Sequence, residues 1–409
     1  MSGHRVVVTG LGIASPIGND LATASHSLRN DCHGIRIKAE WAQIGDLDTR
    51  LAAEVVGLDF SRYPRKKART MGRVALLATY ATEQAVADAG LNERTLRSGN
   101  VGLAYGSTHG STSELEEWCR TLFKNQGMKG LVSTTYLKFM SHTCAANLAL
   151  YFGIRGRVIS TCSACVSASQ AIGAGYEMIR AGLIDAMICG GAEEMHFTHA
   201  GIFGIMFATS RGYNDRPDES PRPFDVERDG LVIGEGAGTL LLESYDHARA
   251  RGAHIHAEIL GYGTNCDGTH VTSPSTEGMA DAMRLALKGA SLAPDRIEYI
   301  NAHATATDVG DIAESRAMFE VFGGKVPVSS TKGFTAHTLG ACGALEAAFC
   351  IAMMNEGWLA TNRTLAEVDP RCAPLDYVRG APRDDRTSIT MSNNFAFGGI
   401  NTSLIFGRV

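Results

Sequence analysis

Apolar residues recur along the chain in two kinds of block. Short β-branched or apolar runs predict strands at 5–10, 101–105, 158–161, 185–191 and 239–242, and again at 256–261, 297–302, 326–330, 388–392 and 402–406. Longer stretches with helical spacing lie between them. One covers 73–90, with Leu76, Leu77, Tyr80, Ala81 and Ala85 on one face. Others follow 165 (Ala168, Ile172, Tyr176, Ile179) and cover 276–288 (Met279, Ala282, Met283, Ala286). A last one, 338–356, is so rich in Ala, Leu, Ile and Met that it predicts a largely buried helix. Strands alternating with helices predict α/β layers. The second set repeats the first in outline, so two halves are expected, 1–250 and 251–409, joined by a charged stretch at 243–252.

Glycine and proline punctuate the pattern. Gly10, Gly12 and Gly18 predict a tight loop after the first strand. Their spacing, with Pro16 among them, does not fit a dinucleotide-binding turn. Prolines and glycines at short spacing make 220–238 a rigid loop, and 393–401 reads as the segment joining the last two strands.

At 409 residues the chain exceeds one ordinary core, and 44% apolar with 20% charged residues is a globular composition. A net charge of −5 argues against general nucleic-acid binding. Ten cysteines without a framework spacing suggest reduced thiols and a cytoplasmic location. The first residues run into a strand rather than a signal peptide, and no apolar run reaches the ~18 residues of a membrane span. One local exception to the charge balance is 62–73, with six cations in twelve residues. It reads equally as a solvated helix face or as a docking patch for an acidic partner.

Candidate chemistry centres on Cys165. It follows a short strand and precedes a helix, where unpaired backbone N–H groups favour thiolate, the nucleophilic form. The plain alternative is an inert packed thiol. Cys162 and Cys165 also form a C-x-x-C, which suits dithiol redox chemistry. No further ligands complete a zinc site, so no metal is expected. His109 lies in a small-residue loop, His303 at a strand end and His337 before the last long helix. Glu193 and Glu194 follow the 185–191 strand. Each alone reads as structural; Cys165 with His303 and His337 would suffice for covalent acyl chemistry.

Four motifs then carry a family resemblance: Ser163-Ala164-Cys165; Asn301-Ala302-His303-Ala304-Thr305-Ala306-Thr307; Lys332 through His337-Thr338-Leu339-Gly340-Ala341; and Asn394-Phe395-Ala396-Phe397-Gly398-Gly399. Over essentially its whole length the chain resembles the elongating β-ketoacyl-acyl-carrier-protein synthases, with a flavour of the ketosynthases of aryl polyene clusters. The resemblance implies a thiolase-like α/β fold, two similar halves in five αβαβα layers, as a homodimer or a heterodimer with a related subunit. It implies that Cys165 takes an acyl chain as a thioester and that His303 and His337 promote decarboxylation of a malonyl thioester. Lys332, with Glu346 as partner, would supply positive charge. Backbone N–H groups of Cys165 and Phe397 would form an oxyanion hole. Thr305 and Thr307 would bind the phosphopantetheine arm of an acyl carrier protein, with no tightly bound cofactor. Phe397 would gate an acyl channel, with Phe395 and His109 also contacting substrate. Arg65, Lys66, Lys67, Arg69 and Arg222 would dock the carrier. Two neighbouring readings share the fold: a thiolase, which uses a second cysteine where this chain has Asn393 to Phe397, and a chain-length-factor subunit, which usually lacks the nucleophile and histidines. The chain departs from the family at Ala304 and Ala336, where Gly is usual; such a Gly can serve positive φ or close approach.

Overall fold

Strand β1 (Val6–Ala14) runs straight through Gly10 and Gly12, where the spacing had predicted a loop. The glycines serve close packing instead. A Cβ on Gly10 would fall 2.1 Å from the Ala85 carbonyl oxygen, and one on Gly12 would fall 2.0 Å from that of Ala81. Helix α1 (Arg73–Asp88) therefore lies directly on the strand. The second half repeats the device: Gly261 and Gly263 leave room for the carbonyls of Ala286 and Ala282, at 2.4 and 2.1 Å from the would-be Cβ atoms. Each first strand also bulges at the residue before its first glycine, Thr9 and Leu260.

The computed structural model describes residues 3–409. After β1 come β2 (Val101–Gly106), β3 (Val158–Thr161), β4 (Ala186–Glu193) and β5 (Gly236–Ser244). The second half supplies β6 (Ala257–Cys266), β7 (Tyr299–Asn301), β8 (Pro327–Ser329), β9 (Asp376–Tyr377), β10 (Ile389–Ala396) and β11 (Ile400–Gly407). The strand order is β9-β8-β7-β10-β11-β6-β1-β5-β4-β2-β3. Read outward from the centre, β1-β5-β4-β2-β3 mirrors β6-β11-β10-β7-β8. The parallel and antiparallel pairings also match. Among the described residues, only Val6 to Val8, paired with Ile259 to Ala257, stitch the halves into one sheet.

The helices that matter for the site are α2 (Thr112–Asn125), α3 (Ser167–Arg180), α4 (Phe197–Ile205), α5 (Thr276–Ala290), α6 (Asp308–Phe322) and α7 (Cys342–Glu356). Helix α1 covers the outer face of the first half and α5 that of the second, while α3 and α7 pack between them against strands of both. That is the five-layered thiolase-like arrangement. In α3, Ala168, Ile172, Tyr176 and Ile179 are buried, as the spacing predicts, and share one core with Ala344, Leu345, Ala348 and Ile351 of α7. Every residue of α7 from Cys342 to Met354 is buried.

Other boundaries moved. The segment 393–401 is not a loop: β10 and β11 form a hairpin that turns on Gly398 and Gly399, both at positive φ (87° and 70°). Glu243 belongs to β5, so the link between halves is the short helix Tyr245–Ala250. Helix α7 begins at Cys342, after a single 3₁₀ turn from Leu339 to Ala341. No helix among the described residues is long and apolar enough to cross a membrane.

Candidate active site

Cys165 sits where β3 turns into α3. The turn depends on Ala164, held at φ 47°, and on Ser167, whose hydroxyl donates to the Ala164 carbonyl (2.7 Å) and accepts from the Ser163 N–H (2.9 Å). Thr161 Oγ1 donates to the Ser167 carbonyl at 2.8 Å, tying the strand end to the helix start. The thiol is buried, and burial pushes it up to about 12, only partly opposed by the Lys332 charge. The expected thiolate-favouring site is therefore not what the resting structure provides: desolvation outweighs the helix terminus. Cys162 is exposed and its Sγ donates to the Thr108 carbonyl at 3.1 Å, and both cysteines are free thiols.

His337 is fixed by its backbone. Its N–H donates to the Val232 carbonyl (2.8 Å) and its carbonyl accepts from the Gly234 N–H (2.9 Å), pinning it to a small three-stranded sheet. This aims Nε2 at the Cys165 Sγ, 3.0 Å away. His337 Nδ1 is buried without a hydrogen-bond partner among the described residues. The His303 ring lies 5.1 Å from the His337 ring, edge to face at 87°. Burial holds both imidazoles well below the usual range, with the Lys332 charge adding to it. Both are neutral at physiological pH.

Lys332 lies behind His303, its Nζ 3.3 Å from His303 Nδ1, in an ion pair with Glu346. An ammonium only donates, so Nδ1 accepts and the His303 proton sits on Nε2. Asn394 Nδ2 donates to Glu346 (2.7 Å) and approaches the same Nδ1 at 3.5 Å. Burial alone would lower Lys332, yet the Glu346 carboxylate raises it and keeps it charged.

Cys165, His303 and His337 share one cavity of about 570 Å³. Cys165, His303, His337, Thr305, Thr307, Phe395 and Phe397 all line it. The Thr305 and Thr307 hydroxyls lie 3.1 Å apart on its wall. Phe397 rests on Phe203, with ring centres 5.4 Å apart.

Three sequence expectations change. His109 does not line this cavity; it stacks on His199, with centroids 5.5 Å apart and an interplanar angle of 15°. Arg222 is no docking residue: it is buried and paired with Asp225 at 2.9 Å. Within 62–73, Arg62 pairs with Glu83 and Arg73 with buried Glu235, while Lys67 donates to the Tyr151 carbonyl at 3.2 Å. Arg65, Lys66 and Arg69 are exposed and make no ion pair among the described residues. At the two alanines, only Ala336 has positive φ (58°, ψ −171°), a conformation that strains a side chain. Its methyl packs with Ile35, Leu51, Tyr213 and Val232, and His337 still reaches Cys165. Ala304 needs no such conformation and lines the cavity.

Several residues escaped the sequence reading. Glu314 accepts the N–H groups of His303 (2.8 Å) and Ala304 (2.7 Å), fixing the loop that carries the histidine. Its helix, α6, was not predicted, although Asp311 and Glu314 at i, i+3 beside Ala313 and Ala317 could have marked a buried acidic face. Cys342 donates to the Cys165 carbonyl at 3.3 Å. Glu193 bridges loops, accepting from the Thr108 N–H (2.9 Å) and the Gly340 N–H (3.1 Å); Glu194 accepts from Ser111 and Ser113. Both carboxylates are buried and structural.

Residues 3–248 match the family described as beta-ketoacyl synthase, N-terminal domain, and residues 256–366 match beta-ketoacyl synthase, C-terminal domain. The chain is 37% identical to 3-oxoacyl-[acyl-carrier-protein] synthase 1 of Escherichia coli, over 99% of both chains. A crystal structure of a beta-ketoacyl synthase from Burkholderia phymatum superposes with TM-score 0.96 at 48% identity, covering 99% of this chain and 100% of that one. A ketosynthase in complex with its chain length factor from Xenorhabdus doucetiae gives 0.87 at 27% identity, covering 99% and 98%.

Proposed function

The chain belongs to the β-ketoacyl synthase family, and on that premise we propose that it condenses an acyl thioester on Cys165 with a malonyl-acyl-carrier-protein to give a 3-ketoacyl-acyl-carrier-protein. One observation carries the reading. A sulfur and two neutral imidazoles from distant parts of the sequence converge, their ligand atoms within 4.8 Å of one another, on the wall of one open cavity.

The chemistry follows from that geometry. The Cys165 sulfur attacks the acyl-carrier thioester; its proton passes to His337 Nε2 and then to the departing carrier thiol. Malonyl thioester then loses CO₂, and the electron pair of the broken C–C bond becomes an enolate. The His303 Nε2–H, held in that tautomer by Lys332, donates to the enolate oxygen. His337 joins it; with Nδ1 unpartnered, its proton can reside on Nε2. The enolate carbon attacks the acyl carbonyl, a C–C bond forms, and the C–S bond to Cys165 breaks. Backbone N–H groups of Cys165 and Phe397 serve as the oxyanion hole; each such donor is typically worth ~10²–10³ in rate. Thr305 and Thr307 hold the phosphopantetheine arm, with Phe395 and Phe397 beside the acyl chain.

Carrier docking falls to Arg65, Lys66 and Arg69. The halves 1–250 and 251–409 divide the labour, the first giving the nucleophile and the second the two histidines. A homodimer is proposed from β3: it is an edge strand with Val158 44% exposed, near the exposed Leu150, Tyr136 and Leu137. A cytoplasmic location fits the free cysteines. The aryl polyene pathway is the narrower proposal, tested by the identity of the product. Intact-protein mass spectrometry after mixing with acyl-acyl-carrier-protein tests the whole reading. An acyl adduct on Cys165, absent in Cys165→Ala and discharged by malonyl-acyl-carrier-protein with release of CO₂, is expected. No adduct, or discharge by coenzyme A thioesters alone, defeats it.

A further inference from the structure

Helix α4 stops on a residue that its backbone does not favour. The Phe207 N–H donates to the Gly204 carbonyl at 2.9 Å, and the Ala208 N–H donates to the Phe203 carbonyl at 2.8 Å. This pair of bonds closes a helix around one left-handed residue, for which glycine is the usual choice. Here that residue is Phe207, at φ 56°. Its side chain is 77% exposed, with the Arg211 guanidinium 5.4 Å from the ring centre. One residue thus carries a strained backbone and an aromatic ring in water, and the core gains almost no packing from it.

The ring has apolar company. Ile202 and Ile205, at i, i+3 on the same helix, are exposed as well, and so is Val271 from the loop after β6. Phe207 and Val271 line the cavity that contains the buried Cys165. Being exposed themselves, they mark where that cavity opens to solvent. An apolar cluster at such an opening marks a binding surface. A second copy of the chain or a lipid surface seated here would close the opening. An acyl group on a carrier reaches Cys165 on an arm covalently fixed to that carrier. The carrier surface around the root of the arm therefore meets this rim each time the thiol is loaded.

We propose that Phe207, with Ile205 and Val271, is an apolar seat for the carrier protein beside the attachment point of its arm. The proposal rests on the synthase reading above and adds a salt-insensitive part to carrier recognition. The carrier that fits has a large exposed apolar side chain next to the residue bearing the arm, not acidic residues alone.

The test compares two donors of the same acyl group, acyl-acyl-carrier-protein and carrier-free acyl-pantetheine, as rates of Cys165 loading at subsaturating donor on the full chain, read by mass spectrometry. Phe207→Gly suits the left-handed position, so its thermal stability should match or exceed that of wild type. Its carrier-to-pantetheine rate ratio should fall at least about tenfold, the worth of burying one large apolar side chain. Phe207→Leu should keep most of the ratio. The loss should persist at high salt, where interactions between exposed charges are screened. If Phe207→Gly does not fold, as judged by circular dichroism, Phe207→Asn decides on the same ratio, since Asn also adopts this conformation. An unchanged ratio, an equal loss with both donors, or a loss that vanishes at high salt overturns the proposal and leaves the synthase reading intact. So does binding to phosphatidylglycerol vesicles that Phe207→Gly abolishes while the ratio holds, which would assign the rim to lipid. Failure of both donors to load wild-type Cys165 overturns the synthase reading as well.

Discussion

The Cys165 sulfur lies 3.0 Å from Nε2 of His337, and both groups are neutral at rest. The nucleophile must therefore lose its proton as it attacks, and the imidazole is the only acceptor placed to take it among the described residues. We expect His337→Ala to slow acylation of Cys165 by about 10²–10⁴, the usual worth of a positioned base. Rapid-quench mass spectrometry measures this directly. Acylation within twofold of wild type would rule the imidazole out as base.

Lys332 and Glu346 are almost fully buried, at 1% and 2% exposure. Removing one member of such a pair leaves an uncompensated charge. Glu346→Leu should lower unfolding free energy by about 3–5 kcal/mol. It should also disturb His303, whose Nδ1 depends on the Lys332 ammonium. Urea denaturation and a decarboxylation assay test both. A variant as stable as wild type would mean that the ion pair is not closed in solution.

Glu193 gives a pH signature. Burial raises its carboxyl from 4.5 to about 7, despite the bonds to Thr108 and Gly340, and its Oε1 has no partner among the described residues. The folded state thus binds the proton more tightly than the unfolded chain. Stability should be full below about 4.5, fall as pH rises through about 7, and lose on the order of 3 kcal/mol over that window. Glu193→Gln removes this group's titration, so its unfolding free energy should decline less between pH 4.5 and 7. Equal pH slopes in variant and wild type would show the carboxyl to be ionised throughout.

The helix faces were legible because apolar spacing survives burial on one side: the positions predicted for α3 and α5 are all buried. The convergence of Cys165, His303 and His337 was legible through the motifs that carry them. Gly10 and Gly12 misled because glycine marks both turns and close approach, and only the partner helix distinguishes them. Arg222 misled because its sequence does not show that Asp225 folds back on it. His199 went unnoticed since nothing local says what faces a histidine on an apolar helix. The glycine finding is testable. Gly12→Ala and Gly263→Ala should each cost about 3 kcal/mol through forced separation of strand and helix, whereas loop glycines with open space, such as Gly45, should tolerate alanine. A Gly12→Ala protein of unchanged thermal stability would refute the close-packing role.

The cationic segment 62–73 divides into engaged and free members, and this division predicts different phenotypes. Arg65, Lys66 and Arg69 are exposed without ion pairs among the described residues, so an acidic carrier can meet them at little desolvation cost. Lys66→Glu and Arg69→Glu should each raise KM for the carrier substrate about five- to tenfold at low salt, with kcat and stability little changed. The difference from wild type should shrink as ionic strength rises, because exposed charges are screened. Arg222→Glu should behave otherwise: it breaks a buried pair with Asp225 and should destabilise the fold by about 3–5 kcal/mol. Its effect should be insensitive to salt. If Lys66→Glu leaves KM unchanged at low salt while Arg222→Glu raises it in a folded protein, the docking surface lies elsewhere.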